Sequence, residues 1–229
     1  MTAWAVVPAA GAGRRFGAGR PKQYLSLAGR PVLSRALAPL LAEPRIKGLV
    51  LVVAEGDDAW RDAVGEDHRV ETVIGGAERC HSVLAGLDAL AGRAAGEDWV
   101  FVHDAARPCL TEAEVAALFR ALAGEASGAL LAVPLADTLK RADDEGRARA
   151  TVPRDGLWRA LTPQVFRYGA LRAALAAAIA EGELVTDEAA AMERAGHRPR
   201  LVPGASGNIK ITGPADLDLA AAVLTARQE

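Results

Sequence analysis

The stretch AWAVVPAAGAGRRF, residues 3–16, decides how the chain is read. Its first part, Ala3–Pro8, is a short apolar run with no polar alternation, which suits a strand buried on both faces. Its second part is a glycine turn followed by two arginines. A glycine-rich turn at the carboxyl end of a first strand lets backbone N–H groups approach phosphates. Outward from there, short apolar runs alternate with helical patterns. Strands are expected at 48–54, 70–74, 99–103 and 129–133, and helices at 32–43, 57–64, 78–92 and 111–122. Thr111 and Glu114 have capping-box spacing, and Pro39 is expected to kink its helix. This alternation predicts an α/β fold with a mostly parallel sheet and helices on both faces.

The alternation breaks at 137–154, which is polar and carries the turn signal Asp143-Asp144-Glu145-Gly146. Strands at 138–142 and 148–152 form a hairpin projecting from the body. A lone two-stranded ribbon is marginal in water, so it is expected to pack on something else, such as a second subunit. A strand at 164–166, helices at 169–181, 187–195 and 215–227, and strands at 200–202 and 208–211 complete the chain. Thr186 is taken as the N-cap of the helix at 187. One domain, residues 1–229, with an arm at about 137–154, is the simplest organisation.

The 229 residues carry a net charge of −2 and are 51% hydrophobic. Neither nucleic-acid nor membrane binding is expected from that balance. Only Cys80 and Cys109 are present, so a disulfide framework is excluded and a reducing cytoplasm is expected. The apolar start reads as a strand rather than a signal peptide, since it lacks a basic leading region. Arginine outnumbers lysine 23 to four, and Asn208 is the sole asparagine. Lysines in such a chain mark places where a compact ammonium is needed and a planar guanidinium does not fit.

The glycine loop fits neither familiar phosphate fingerprint. A dinucleotide loop G-x-G-x-x-G needs glycine where Phe16 stands, and G-x-x-x-x-G-K-[ST] is absent. Arg14, Arg15, Arg20 and Lys22 follow within ten residues, and cations in that number suit a triphosphate. His103-Asp104-Ala105-Ala106-Arg107-Pro108 also ends a strand. Asp104 could hold Mg²⁺, accept sugar hydroxyls, or simply pair with Arg107 in a turn. Gly75 and Gly76 permit close backbone approach to a base or ribose, and Ser82 adds a hydroxyl. Lys210 and Thr212 alternate on an expected strand, so both would face one way, which suits a phosphate or an ordinary exposed strand face.

Taken in order, PAAGAGRRF, PKQY, GGAERCHSV, HDAARP, DTLKR, the Arg154 region with LWRALTPQ, TDEA and NIKIT resemble the 2-C-methyl-D-erythritol 4-phosphate cytidylyltransferase family. They run from residue 8 to residue 212, nearly the whole chain. The resemblance implies a Rossmann-like fold, a homodimer whose arm crosses to the partner, CTP, a polyol phosphate and Mg²⁺. It implies that Arg15 and Lys22 stabilise charge at the α-phosphate. Pro8, Ala9, Ala10, Gly11, Ala12, Gly13, Gly76, Ser82 and Ala105 would form the nucleotide pocket. Arg154 and Lys210 would position the incoming phosphate. Asp104, Arg107, Thr138, Thr162, Thr186 and Thr212 would lie on the substrate side. A ribitol 5-phosphate cytidylyltransferase is the alternative, because the nucleotide loop cannot separate the two acceptors.

Overall fold

The computed structural model describes residues 1–11 and 21–227. Arg14, Arg15, Ala12, Gly13, Phe16 and Arg20 lie outside the described residues. The central sheet has seven strands: β1 (Ala3–Pro8), β4 (Ile46–Val53), β5 (Val70–Ile74), β6 (Trp99–Val102), β7 (Ala129–Pro134), β10 (Trp158–Arg167) and β11 (Arg200–Pro203). Their order is β11-β7-β10-β6-β1-β4-β5. Every neighbouring pair is parallel except those of β10, which runs antiparallel to β6 and to β7.

Alternate residues of the central strands feed two cores, as a period of two demands. Leu49, Leu51 and Val53 of β4 join Leu33, Leu37 and Leu40 of α1 (Val32–Leu41) and Leu118 and Phe119 of α4 (Glu112–Ala121). Val50 and Val52 face the other way, onto Val83 and Leu87 of α3 (Arg79–Asp88), Leu171 and Leu175 of α5 (Tyr168–Ala180), and Met192 of α6 (Glu188–Arg194). The expected α/β layering is therefore observed. Thr111 caps α4 in the expected box, with its hydroxyl accepting from Glu114 N and the Glu114 carboxylate reaching back. Pro39 sits buried inside α1.

Several boundaries differ from the sequence expectations. The helix at 57–64 shortens to α2 (Trp60–Val64), because Asp57 instead accepts from Ala59 N and Tyr24 Oη. The strand at 164–166 lengthens to the ten residues of β10, which pairs with β7 from Trp158 onward, beyond the apolar run. A small hairpin, β2 (Ser26–Leu27) with β3 (Arg30–Pro31), was not foreseen.

Residues 208–211 form no strand. Ile211 instead packs with Ala220 of α7 (Pro214–Thr225), and its N–H goes to Ala106 O. The N-cap of α6 is Asp187 rather than Thr186: its carboxylate accepts from Ala190 N at 2.9 Å. Asp187, next to the first helical turn, reaches the amide, and Thr186 stays exposed.

Strands β8 (Leu139–Ala142) and β9 (Ala148–Val152) pair only with each other. Their side chains are nearly all exposed.

Candidate active site

From β1 the sheet grows outward through β4 and β5, and β6 then joins the opposite flank of β1. Such a reversal opens a crevice at the carboxyl ends of the strands, where ligands of open α/β sheets bind. The glycine loop follows β1, Gly75 and Gly76 follow β5, and residues 103–108 follow β6. A cleft of about 180 Å³ opens nearby, lined by Arg79, Asp104, Arg107, Ala160, Leu161, Thr162, Gln164, Thr186, Asp187 and Lys210. The pairing of β10 with β7 shifts register between Ala160 and Gln164, and the displaced Leu161 and Thr162 line the cleft.

Asp104 is the hub. Its Oδ1 accepts from Arg79 Nε at 3.1 Å, and its Oδ2 faces Lys210 Nζ at 3.0 Å and Arg107 Nε at 3.3 Å. Burial opposes its charge, but Arg79, Lys210 and Arg107 outweigh that and hold the carboxyl well below the usual range. The Asp104–Arg107 turn pair considered from sequence is thus present, as one of three cation contacts. Burial pushes the Arg107 guanidinium down, against the pull of Asp104.

Behind Asp104 lies a buried relay. Asp104 N donates to Thr162 Oγ1 at 3.1 Å, Thr162 Oγ1 meets His103 Nδ1 at 2.9 Å, and His103 Nε2 meets Arg107 O at 3.2 Å. A carbonyl only accepts, so Nε2 carries the imidazole proton and Nδ1 accepts from the threonine hydroxyl. The one proton of Thr162 is therefore committed to His103.

The segment bearing Lys210 is wired in from several sides. Arg107 Nη1 donates to Asn208 O at 2.8 Å, Asn208 Nδ2 to Thr162 O at 3.0 Å, and Lys22 Nζ to Ile211 O at 2.7 Å. Lys22, expected at the nucleotide, thus lies one residue from Lys210, expected at the acceptor. Thr212 does not share a face with Lys210. Its hydroxyl and N–H both go to Asp216 Oδ2, at 2.6 and 2.7 Å, at the start of α7. With no strand at 208–211, the alternation that paired the two has no basis.

On the nucleotide side, Gln23 Nε2 donates to Ala9 O at 2.9 Å. Ser82 Oγ accepts from Gly76 N at 3.2 Å and closes the β5–α3 turn. A Cβ on Gly75 would stand 2.6 Å from Ala10 Cβ and 2.7 Å from Ser82 Oγ, so the two loops touch only because the residue is glycine. Pro8, Ala9, Ala10 and Gly11 run on from β1 beside this turn, and Ala105 is buried after β6. Arg15 lies outside the described residues.

Arg154 and Thr138 are not brought into the cleft. Arg154 is exposed at the base of the hairpin and donates to Ala136 O, and Thr138 is exposed beside it. Sequence reasoning missed Arg79, Gln164 and Glu188. Gln164 takes Ala189 N on its oxygen at 2.8 Å and gives its amide to Asp187 Oδ2 at 2.9 Å, so it fixes the start of α6.

The family model described as 2-C-methyl-D-erythritol 4-phosphate cytidylyltransferase (IspD) matches residues 3–226. The chain belongs to this family. A cytidylyltransferase of that name from Halorhodospira halophila is 55% identical over 231 residues, covering 98% of this chain and 95% of the relative. One from Acidithiobacillus ferrooxidans is 53% identical over 233 residues, covering 99% and 98%. Among solved structures, a 4-diphosphocytidyl-2C-methyl-D-erythritol synthase superposes with a TM-score of 0.85 at 37% identity, over 97% of this chain and 99% of that one. An IspD chain thus carries its cation-ringed Asp104 at the crevice of the sheet.

Proposed function

We infer that the chain transfers CMP from CTP to 2-C-methyl-D-erythritol 4-phosphate, releasing pyrophosphate. The observation that carries this reading is the trio Arg79, Arg107 and Lys210 around Asp104, beside the glycine loop of an IspD-family fold. The nucleophile is a phosphate monoester oxygen. With a second pKa near ~6 it is mostly dianionic at neutral pH, so no general base is required. Its oxygen forms a bond to the α-phosphorus as the bond to the pyrophosphate oxygen breaks. Two anions must meet, so the work of the protein is positioning and charge neutralisation. Lys22, with Arg15, serves the α-phosphate. Lys210 receives the acceptor phosphate, and Asp104 with Thr186 takes its hydroxyls.

Mg²⁺ belongs to this proposal as an ion carried by the triphosphate. Both oxygens of Asp104 are engaged by cations, and among the described residues no group of three or more His, Cys, Asp or Glu suits a metal. These residues would suit an ion held mainly by nucleotide oxygens, with Asp104 as the carboxylate that could assist. When bound, Mg²⁺ neutralises phosphate charge and eases departure of pyrophosphate.

The reading includes a homodimer through the β8–β9 hairpin and reaction in the cytoplasm. The exposed hairpin, the place of Arg154 outside its own cleft and the exposed Leu157 support the first. Two free, buried cysteines support the second, and among the described residues no helix is long and apolar enough to cross a membrane.

The test is pyrophosphate release with CTP and Mg²⁺, comparing methylerythritol phosphate with ribitol 5-phosphate. Release with the first is expected. Release with ribitol 5-phosphate alone would keep the chemistry and overturn the acceptor.

A further inference from the structure

Arg79 is the first residue of α3, three positions after Gly76. It uses its guanidinium as a three-way fork. Nη1 and Nη2 grip Glu188 Oε1 and Oε2 at 2.6 and 3.0 Å, and Nε holds Asp104 Oδ1 at 3.1 Å. Glu188 is fully buried and opens α6, directly after the cleft-lining Thr186 and Asp187. Burial works against the charge of Arg79, yet Glu188 and then Asp104 hold it firmly protonated.

The division of the two Asp104 oxygens gives this fork a consequence. Arg79 holds Oδ1, while Lys210 and Arg107 both converge on Oδ2. The position of the Lys210 ammonium therefore depends on which way the Asp104 carboxylate is turned. Without Arg79, two oxygens would compete for Lys210, and the buried Glu188 would lack its cation. A lysine cannot replace the fork, because a single ammonium does not reach a bidentate carboxylate and a second acid in one plane.

We propose that Arg79, braced by Glu188, is a positioning residue for the acceptor half of the reaction: it orients Asp104 and thereby aims Lys210 at the incoming phosphate. The proposal rests on the cytidylyl-transfer reading above.

The experiment is steady-state pyrophosphate release with each substrate varied in turn, alongside denaturant melts of each variant. Arg79→Lys is expected to raise the acceptor KM about tenfold or more and to leave the CTP KM within about twofold. An acceptor KM within twofold of wild type, or an equal rise for CTP, would overturn the proposal.

Arg79→Met strands a buried Glu188 and is expected to lose stability. The double variant Arg79→Met/Glu188→Met removes both charges at similar volume and should recover it. If Arg79 were only structural, the acceptor KM would recover with stability; the proposal requires it to stay high. Where either Met variant fails to fold, Arg79→Lys carries the test.

Action through Asp104 is read from a cycle. In an Asp104→Asn background, Arg79→Lys should add less than about twofold, and an undiminished effect contradicts the mechanism. The wild-type assay in the same series separates the two failures. An inactive wild type overturns the assigned reaction, whereas an active wild type without the KM split overturns only the role of Arg79.

Discussion

At the level of single residues, the relay behind Asp104 links site geometry to stability. His103 is wholly buried, and burial lowers its pKa to about 4, with Asp104 opposing and Arg107 assisting. The fold therefore prefers neutral imidazole, with Nε2–H on Arg107 O and Nδ1 accepting from Thr162. Stability from this preference is fully present above the unfolded-state pKa of ~6.5 and is lost as pH falls from there towards 4. Between pH 7 and pH 5 the loss should be roughly 2 kcal/mol. Urea melts at the two pH values check this, with His103→Gln expected to lack that pH-dependent part. Equal pH dependence in wild type and variant would mean that folding leaves the imidazole pKa unshifted. The sequence placed Asp104, Arg107, Thr162 and Lys210 in one site, and they do gather around one cleft. It could not assign the proton of Thr162 or find the partner of Arg79, because His103–Thr162 and Arg79–Glu188 are contacts between residues 59 and 109 positions apart. Asn208 was visible as the sole asparagine, yet only the structure shows its amide holding Thr162 O.

At the level of elements, most strands and helices of the first 134 residues were legible because hydrophobic period and turn chemistry agree there, the β2–β3 hairpin and the first turn expected at 57–59 being the exceptions. The errors fall where tertiary contacts override local pattern. Residues 208–211 alternate like a strand, but Ile211 gives its N–H to Ala106 O and packs with Ala220 of α7, so the segment follows those partners instead. Thr186 looks like a cap, but Asp187 reaches the amide first. The β5–α3 turn offers a test of one such element. Gly75 lets this turn lie against Ala10 of the glycine loop, and a methyl there would meet Ala10 Cβ and Ser82 Oγ well inside contact distance. Gly75→Ala should push the two loops apart and raise the CTP KM about tenfold, with the acceptor KM within twofold. Separate substrate titrations decide it. A variant that weakens acceptor use alone would show that this turn does not border the nucleotide.

For the whole molecule, the hairpin poses the open question. A two-stranded ribbon with exposed side chains gains little from its own pairing, so a stable arm needs another surface to lie on. Arg154 stands at the base of that ribbon, outside the cleft of its own chain. If Arg154 positions the acceptor phosphate, a symmetric dimer solves both problems at once, since each arm then completes the cleft of its partner. The chemistry makes the idea quantitative. Lys22→Ala should cut kcat by ~10²-fold or more, as lost preorganised donors do, and Arg154→Ala should chiefly weaken use of the acceptor. Each parent is then nearly inactive under limiting acceptor. When the two are mixed and allowed to exchange, half of the dimers contain one chain of each kind. In those, one cleft carries both defects. The other pairs an intact Lys22 with an intact Arg154 from across the interface. About a quarter of native activity should return for random exchange and independent sites. If Arg154 instead served its own cleft, every site in the mixed dimer would keep one defect, and mixing would restore nothing.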